Sequence, residues 1–293
     1  MRLLNVALLG VTCMIMVLGC GPSKPKETMT AGHVRIGASD AVFDLAWFLS
    51  REFQAGNRAA FIDIVRRANR DLVDSLLNGD AEEIFLDRTL TPAETLALRR
   101  TGHRLYSYPV AYYPVFLLVD TALKVESVDS AELRGILTGR VVNWRELGGP
   151  DLPINVYLPL PGEGAIQSIV DYFGGLDSLQ AAAVCSTSSI LLDSAEGDAG
   201  ALILYTQPIT HLPYQPLRFR RGDEAIRPNV KTILEENGYP FRLNITYVTT
   251  HMKTDVAAGY LTFVVGNLGQ RRIMDAFKYR PASVPVRVIQ MKH

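Results

Sequence analysis

Hydrophobic and polar residues follow two alternating periods along this chain, and the pattern predicts an α/β protein. Short apolar runs are typical of strands, and the stretches after them repeat apolar residues every three or four positions, as amphipathic helices do. The clearest pair is a strand at residues 34–36 and a helix at 42–53, with Ser39 or Asp40 placed to cap the helix. Residues 200–205 are continuously apolar, which is typical of a strand buried on both faces of a sheet.

Several further elements follow from the same periods. Residues 61–77 are predicted to form one helix, whose three arginines make a solvated outer face. A helix fragment is expected near residues 179–184, and a closing edge strand is expected at 284–289. The aromatic and β-branched run 106–119 predicts an extended strand that crosses from one half of the molecule to the other.

Residues 132–165 form the stretch around which the rest of the chain is organised. A helix is predicted to end at Gly139, and Trp144 then lies in a short turn closed by Gly148 and Gly149. An apolar strand at residues 154–160 runs into a glycine-rich turn and a new helix. Because the first amides of a helix lack intrahelical partners and carry partial positive charge, this arrangement predicts an anion cradle.

These motifs resemble the phosphate-binding proteins that serve bacterial phosphate ABC transporters. The matching residues are 137–139, Trp144, the ordered set Arg88, Leu90 and Glu94, and the later runs 227–233 and 238–242. The resemblance implies an α/β fold of the type II periplasmic-binding-protein kind, with two lobes that are each a mixed sheet flanked by helices. Two crossing segments would join a first lobe at residues 33–112 and 225–293 to a second lobe at 113–224.

The resemblance also implies a ligand site built from three loops. Its residues are Ala38, Ser39 and Asp40 in the first loop, Asp87, Arg88 and Thr89 in the second, and Gly162, Glu163, Gly164 and Ala165 in the third. The Arg88 guanidinium can fork onto a tetrahedral oxyanion, and Asp40 or Asp87 can accept a hydrogen bond from a protonated oxygen. The residues alone leave two plainer interpretations open. Ser39 can be an ordinary N-cap, and Asp87 with Arg88 can be a local ion pair.

The third loop departs from the family pattern. Glu163 stands where the family has a serine, and Ala165 stands where it has a threonine, so two hydroxyl donors are missing. A poorly solvated carboxylate in the cleft would repel a dianion. The departure therefore predicts weak phosphate binding or another ligand, unless Glu163 points outward and leaves only its amide in the site.

The beginning of the chain predicts export. Residues 1–19 form a short apolar stretch with the basic Arg2 near its beginning, as in signal peptides. Residues 17–20 match a bacterial lipobox, so Cys20 is expected to carry a lipid and to anchor the protein in the cell envelope. Residues 20–32 are polar and proline-containing and predict a flexible tether. Cys185 then remains alone and is expected to be a small buried residue rather than half of a disulfide.

Composition and motifs narrow the classes of function. The formal net charge is +0, so the chain lacks the basic footprint of a nucleic-acid-binding protein. Neither a Gly-x-Ser-x-Gly elbow nor a Walker loop occurs, and the five histidines are scattered without metal-ligand spacing. We therefore expect a binding protein rather than an enzyme, with no metal and no cofactor.

The sequence thus predicts an exported, lipid-anchored solute-binding component of an ABC transporter. Its expected ligand is inorganic phosphate or a similar small anion held between the lobes, and its expected partners are the permease subunits and the membrane that holds the lipid. A monomer is expected. The alternative is a repurposed binding-protein fold that acts as a sensor, an adhesin or an accessory lipoprotein with a ligand other than phosphate.

Overall fold

A computed structural model describes residues 27–102, 104–176 and 178–283. The strands are β1 (Ala31–Ala38), β2 (Ala59–Arg66), β3 (Glu83–Leu86), β4 (Tyr106–Pro114), β5 (Phe116–Asp120), β6 (Ser127–Val128), β7 (Asn155–Pro159), β8 (Ala183–Cys185), β9 (Ala201–Tyr205), β10 (Tyr214–Pro216), β11 (Arg218–Arg221), β12 (Glu224–Ile226), β13 (Arg242–Thr249) and β14 (Arg280–Pro281). The α-helices are α1 (Asp40–Gly56), α2 (Asn69–Asn78), α3 (Pro92–Arg100), α4 (Ser130–Leu137), α5 (Gly164–Tyr172), α6 (Ser188–Ala195), α7 (Val256–Val265) and α8 (Asn267–Arg272). The predicted α/β class is confirmed.

The first sheet has six strands in the order β14-β4-β13-β3-β1-β2. Strands β1, β2 and β3 are parallel to one another, and β13, β4 and β14 complete the sheet in antiparallel pairings. Helices α1, α2 and α7 pack against this sheet. Because β1, β2 and β3 run in the same direction, the loops that follow them meet at one edge of the sheet.

The second sheet has five strands in the order β10-β5-β9-β7-β8. Strands β7, β8 and β9 are parallel, and β9 is the predicted apolar strand, with all five of its residues buried. A smaller three-stranded sheet, β12-β11-β6, lies beside it. The loops that follow β7, β8 and β9 also meet at one edge, as they do in the first sheet.

The chain crosses between the two large sheets twice, and the crossing segments touch. Strand β4 belongs to the six-stranded sheet and β5 to the five-stranded sheet, with Val115 between them. The chain returns at Phe241, whose carbonyl accepts a hydrogen bond from the Val115 amide at 3.0 Å. The buried Tyr239 hydroxyl donates to the Val115 carbonyl at 2.8 Å. The predicted crossing within residues 106–119 is therefore confirmed.

Trp144 holds the predicted turn as a core residue. It opens a 3₁₀ turn, Trp144–Leu147, which ends at Gly148 in the left-handed region with φ 77°. The indole is fully buried, and its N–H donates to the Gly200 carbonyl at 2.9 Å. The Trp144 side chain therefore ties this turn to the start of the central strand β9.

Two predicted elements are wrong. Residues 61–77 do not form one helix, because the alternating run up to residue 66 is strand β2 and a new helix begins at Asn69. Residues 183–185 form strand β8, so no helix fragment stands there. In both cases short apolar runs fit either period, and pairing with a neighbouring parallel strand decides the structure.

Other predictions concern the two ends of the chain. The signal peptide, Cys20 and the strand at residues 284–289 lie outside the described residues. The last two residues of the predicted tether, Ala31 and Gly32, already belong to β1. Within the described ranges, no helix combines the length and the apolar character that crossing a bilayer requires.

Candidate functional site

Loops from both sheets line one cavity of about 20 Å³. Its polar lining residues are Asp40, Asp87, Glu163, Ser186, Thr187, Ser188 and Thr206. They follow β1, β3, β7, β8 and β9, so the parallel strands of both sheets point their carboxyl ends at this cavity. A volume of this size holds about one water molecule.

The first loop places Ser39 and Asp40 at the start of α1. Ala38 ends β1 and is fully buried, and Ser39 takes the N-cap position without capping the helix with its side chain. The Ser39 hydroxyl is fully buried and has no hydrogen-bond partner among the described residues. Ser39 therefore is not the ordinary N-cap that the sequence left open, because an ordinary N-cap oxygen accepts from a helix amide.

Asp40 bridges the two sheets. Its carboxylate accepts from the Arg66 guanidinium at 2.8 Å within the first half of the molecule. It also accepts from the Ser188 amide at 2.8 Å and from the Ser188 hydroxyl at 2.9 Å, at the start of α6. Arg66 was predicted to be part of a solvated face, but it pairs with Asp40 and lies over the Phe43 ring at 4.3 Å.

Asp87 lies deep between the loops. Its side chain is buried and accepts from the Gly164 amide at 3.1 Å and from the Asn69 side-chain amide. Burial raises the pKa of the Asp87 carboxyl above its ordinary value, although hydrogen bonds from Asn69 and Gly164 and the nearby Arg88 oppose the rise. Asp87 therefore connects the end of β3 to the first residue of α5 and to the first residue of α2.

Arg88 is also buried, but its guanidinium donates its hydrogen bonds to other groups of the protein. Its two terminal nitrogens donate to the Glu94 carboxylate at 2.8 Å each, and its Nε donates to the Gly162 carbonyl at 2.6 Å. Thr89 is exposed and contributes its carbonyl to Arg88 at 3.0 Å. The local ion pair of Arg88 is thus with Glu94 rather than with Asp87, and the bond from Arg88 to the Gly162 carbonyl holds the third loop.

The third loop points Glu163 inward. Glu163 is 8% exposed, and its carboxylate accepts from the Asn69 amide at 2.9 Å and from the Asn69 side chain at 3.1 Å. Burial raises the pKa of the Glu163 carboxyl to about 8, and the neighbouring Asp87 adds to the rise. The outward orientation that the sequence left open is excluded.

The neighbours of Glu163 in this loop are tightly placed. Gly162 has φ 91°, a backbone conformation that favours glycine. Gly164 lies so close to Asp87 that an added Cβ would stand 2.5 Å from the Asp87 carbonyl oxygen. Ala165 is fully buried and lines the cavity in the first turn of α5. The backbone of the loop therefore approaches the opposite sheet closely.

Comparison with known protein families identifies the family of this chain. A family model described as a PBP superfamily domain matches residues 23–267, which is most of the chain. The chain belongs to the PBP superfamily.

Solved structures share the superfamily fold with this chain. A candidate phosphate ABC transporter substrate-binding protein from Clostridium perfringens, solved with bound phosphate, is 18% identical, covers 86% of this chain and 100% of its own, and superposes with a TM-score of 0.73. An ABC-type phosphate transport receptor from Vibrio cholerae is 16% identical, covers 84% of this chain and 99% of its own, and gives a TM-score of 0.67. These matches confirm the predicted two-lobe fold and the predicted resemblance to phosphate-binding proteins.

One relative is detected through its sequence. Protein SphX of Synechococcus elongatus is 27% identical over 146 residues, a match that spans 48% of this chain and 42% of SphX. The match thus covers less than half of the relative's length.

Sequence reasoning missed part of this candidate site. Asn69, which donates hydrogen bonds to Glu163 and Asp87, was hidden inside the predicted helix at residues 61–77. Ser188 and Thr206 were also missed. The run of hydroxyl residues that follows the buried Cys185 was the available signal, since it comes directly after a strand end.

The buried carboxyls predict an unusual dependence of stability on pH. Glu163, with a folded pKa of about 8, and Glu83, with one of about 7, have an ordinary value of 4.5. The folded protein therefore holds protons that the unfolded chain has released, so the free energy of unfolding should fall as pH rises from about 4.5 to about 8. Urea unfolding at pH 5.5 and 8.5 measures this difference.

A variant isolates the share of Glu163 in that difference. Glu163→Gln cannot ionise, so it should show a smaller loss of stability between pH 5.5 and 8.5 than the unaltered protein. The exposed Glu236→Gln serves as the control and should keep the full loss. Stability that is equal at both pH values, or higher at pH 8.5, would show that these carboxyls are not held neutral in the fold.

Proposed function

We propose that this protein is the solute-binding component of an ABC transporter and captures phosphate between its two sheets. The observation that carries the proposal is that the N-termini of α1, α5 and α6 line a single cavity. Helix N-termini present unpaired amides and partial positive charge, which favour an anion. The phosphate-binding descriptions of the Clostridium perfringens and Vibrio cholerae proteins support phosphate as the anion.

Two buried polar atoms in adjoining loops support a protonated oxyanion. The Ser39 hydroxyl and the Asn69 side-chain oxygen have no partners among the described residues. A hydroxyl can donate to an oxyanion, and an amide oxygen can accept from a protonated one. Asp87, which is buried and bonded to the Asn69 side chain, can also accept a hydrogen bond from a protonated oxygen. Sulfate carries no proton at neutral pH, so these acceptors favour phosphate over sulfate.

Binding requires the two sheets to separate first. A cavity that holds about one water is too small for a tetrahedral ion with four oxygens. The contacts that would open to admit phosphate are Arg88 with Gly162, Glu163 with Asn69, Gly164 with Asp87 and Asp40 with Ser188. The close approach of Gly164 to Asp87 would be restored when the sheets close over the ion. The two crossing segments at Val115 and Phe241 are the hinge about which the sheets would move.

The cellular setting belongs to the same proposal. Lobes at residues 33–112 with 225–293 and at 113–224 would close on phosphate outside the cytoplasmic membrane. A lipid on Cys20 would hold the monomer at the membrane, and the closed form would deliver phosphate to the permease subunits. The superfamily match and the transport descriptions of the structural relatives support delivery to a permease, and the lipobox match at residues 17–20 supports the lipid on Cys20.

The unpartnered Ser39 hydroxyl provides the test. Ser39→Ala should weaken phosphate binding at least tenfold, because a hydrogen bond to a charged group contributes about 1.5–3 kcal/mol. It should leave the free energy of unfolding nearly unchanged, since the hydroxyl makes no hydrogen bond to any described residue. Calorimetric titration and urea unfolding measure the two quantities.

Thr91→Ala is the matched control with the opposite pattern. Thr91 caps α3 through a bond from the Glu94 amide, so its loss should cost about 1 kcal/mol of stability. Its effect on the phosphate Kd should be small by comparison. Unchanged phosphate affinity in Ser39→Ala would remove the start of α1 from the binding site.

A further inference from the structure

Glu163 occupies an N-cap position but does not cap its own helix. Residues that favour this position have short side chains whose oxygens accept from the first turn of the same helix. The longer Glu163 side chain makes no such bond to α5. Instead it reaches the opposite sheet and accepts from the amide and the side chain of Asn69, which begins α2. Glu163 therefore joins the starts of α5 and α2, which follow strands of different sheets.

The position of the Glu163 carboxylate is one that suits a bound anion. The Asn69 amide is the first N–H of a ten-residue helix, where an oxyanion would be stabilised by unpaired donors and by the helix dipole. Asn69 is fully buried, and Glu163 is nearly so. The carboxylate thus uses two donors that phosphate would otherwise receive.

The charges around Glu163 do not favour a second anion beside it. The charged groups that face it are Asp87, Asp40 and Arg88. The guanidinium of Arg88 is already paired with Glu94. A dianion that entered next to an ionised Glu163 would meet like charges in a site with little water.

We propose that Glu163 is a built-in competitor that determines when this site accepts phosphate. Resting on the proposed function, this inference states that phosphate binds once Glu163 has taken a proton from solvent or has left the Asn69 amide. The raised pKa of Glu163, about 8, agrees with a carboxyl that carries a proton at neutral pH. Phosphate binding should then weaken as pH rises through 8, because the ionised carboxylate competes for the donors.

Calorimetric titration of the purified full chain with inorganic phosphate at pH 7 and pH 9 tests the proposal. The change in Kd between these pH values is compared in the unaltered protein and in Glu163→Gln. Titration of phosphate itself contributes to both proteins and cancels in the comparison. We expect the unaltered protein to lose about tenfold more affinity than Glu163→Gln, and Glu163→Gln to bind about tenfold more tightly at pH 9.

Two further variants keep the test decisive. Glu163→Ser replaces Glu163 if the glutamine variant fails to fold, and it should also lose the excess pH dependence. The exposed Glu236→Gln should behave like the unaltered protein. Equal Kd values and equal pH dependence in the unaltered protein and the Glu163 variants would overturn the competitor role while phosphate capture stood. An absence of phosphate binding in all of them at both pH values would overturn phosphate capture and the competitor role with it.

Discussion

Replacing Trp144 by alanine is expected to lower the free energy of unfolding by about 3–5 kcal/mol, which is the range for deleting a large buried aromatic side chain. The indole is fully buried, and its N–H donates to the Gly200 carbonyl. Deleting it leaves a cavity beside the turn at residues 144–149 and an unpaired carbonyl at the start of β9. Urea unfolding measures the loss.

Trp47→Ala is the matched control for that experiment. Trp47 is 53% exposed on α1, so its removal should change the free energy of unfolding by about 0.5 kcal/mol or less. Similar losses for the two tryptophans would contradict the placement of Trp144 in the core.

Replacing Gly164 by alanine is expected to weaken phosphate binding by about 1–3 kcal/mol, or roughly 5- to 150-fold. The added Cβ would stand 2.5 Å from the Asp87 carbonyl oxygen and 2.9 Å from the Asp87 side-chain carbon. Gly164 follows β7 of one sheet and Asp87 follows β3 of the other, so this clash opposes the close approach of the two loops. The expected result is a higher phosphate Kd in calorimetric titration.

Gly56→Ala controls for the effect of adding a methyl group to a glycine. Gly56 ends α1, and an added Cβ would meet no heavy atom within 4 Å. Its phosphate Kd should equal that of the unaltered protein in the same calorimetric titration. If Gly164→Ala also keeps the unaltered Kd, the close approach of α5 to Asp87 is not part of the bound state.

The fold could be predicted from the sequence wherever a single period or a single punctuating residue left no choice. The long amphipathic face of α1, the apolar strand β9 and the glycine-closed turn after Trp144 are of this kind. Residues 61–66 were different, since an alternating run next to a helix can be counted into either period. Pairing with β1 along its whole length made that run a strand, and such pairing between distant segments is not written in a local pattern.

The candidate site was predictable in position but not in detail. Strand ends followed by helix starts located the loops at Ser39, Asp87 and Glu163, and all three loops meet in the structure. The hydrogen-bond partner of each charged side chain could not be predicted, because it depends on tertiary contacts. Arg88 donates to Glu94, six residues away in the chain, and Glu163 accepts from Asn69, which follows a strand of the other sheet. Asn69 itself was missed because the strand before it was counted into one helix over residues 61–77, which hid the helix start at Asn69.

Titration of the unaltered protein with phosphate, with sulfate as the control, tests the central claim most directly. The proposed function predicts saturable binding of one phosphate per chain at pH 7 and much weaker heat with sulfate. The reason is that buried acceptors can form a hydrogen bond with a protonated phosphate oxygen, and sulfate has no such proton. No heat with phosphate, or equal affinity for both ions, would contradict the assignment of this cavity as a phosphate site.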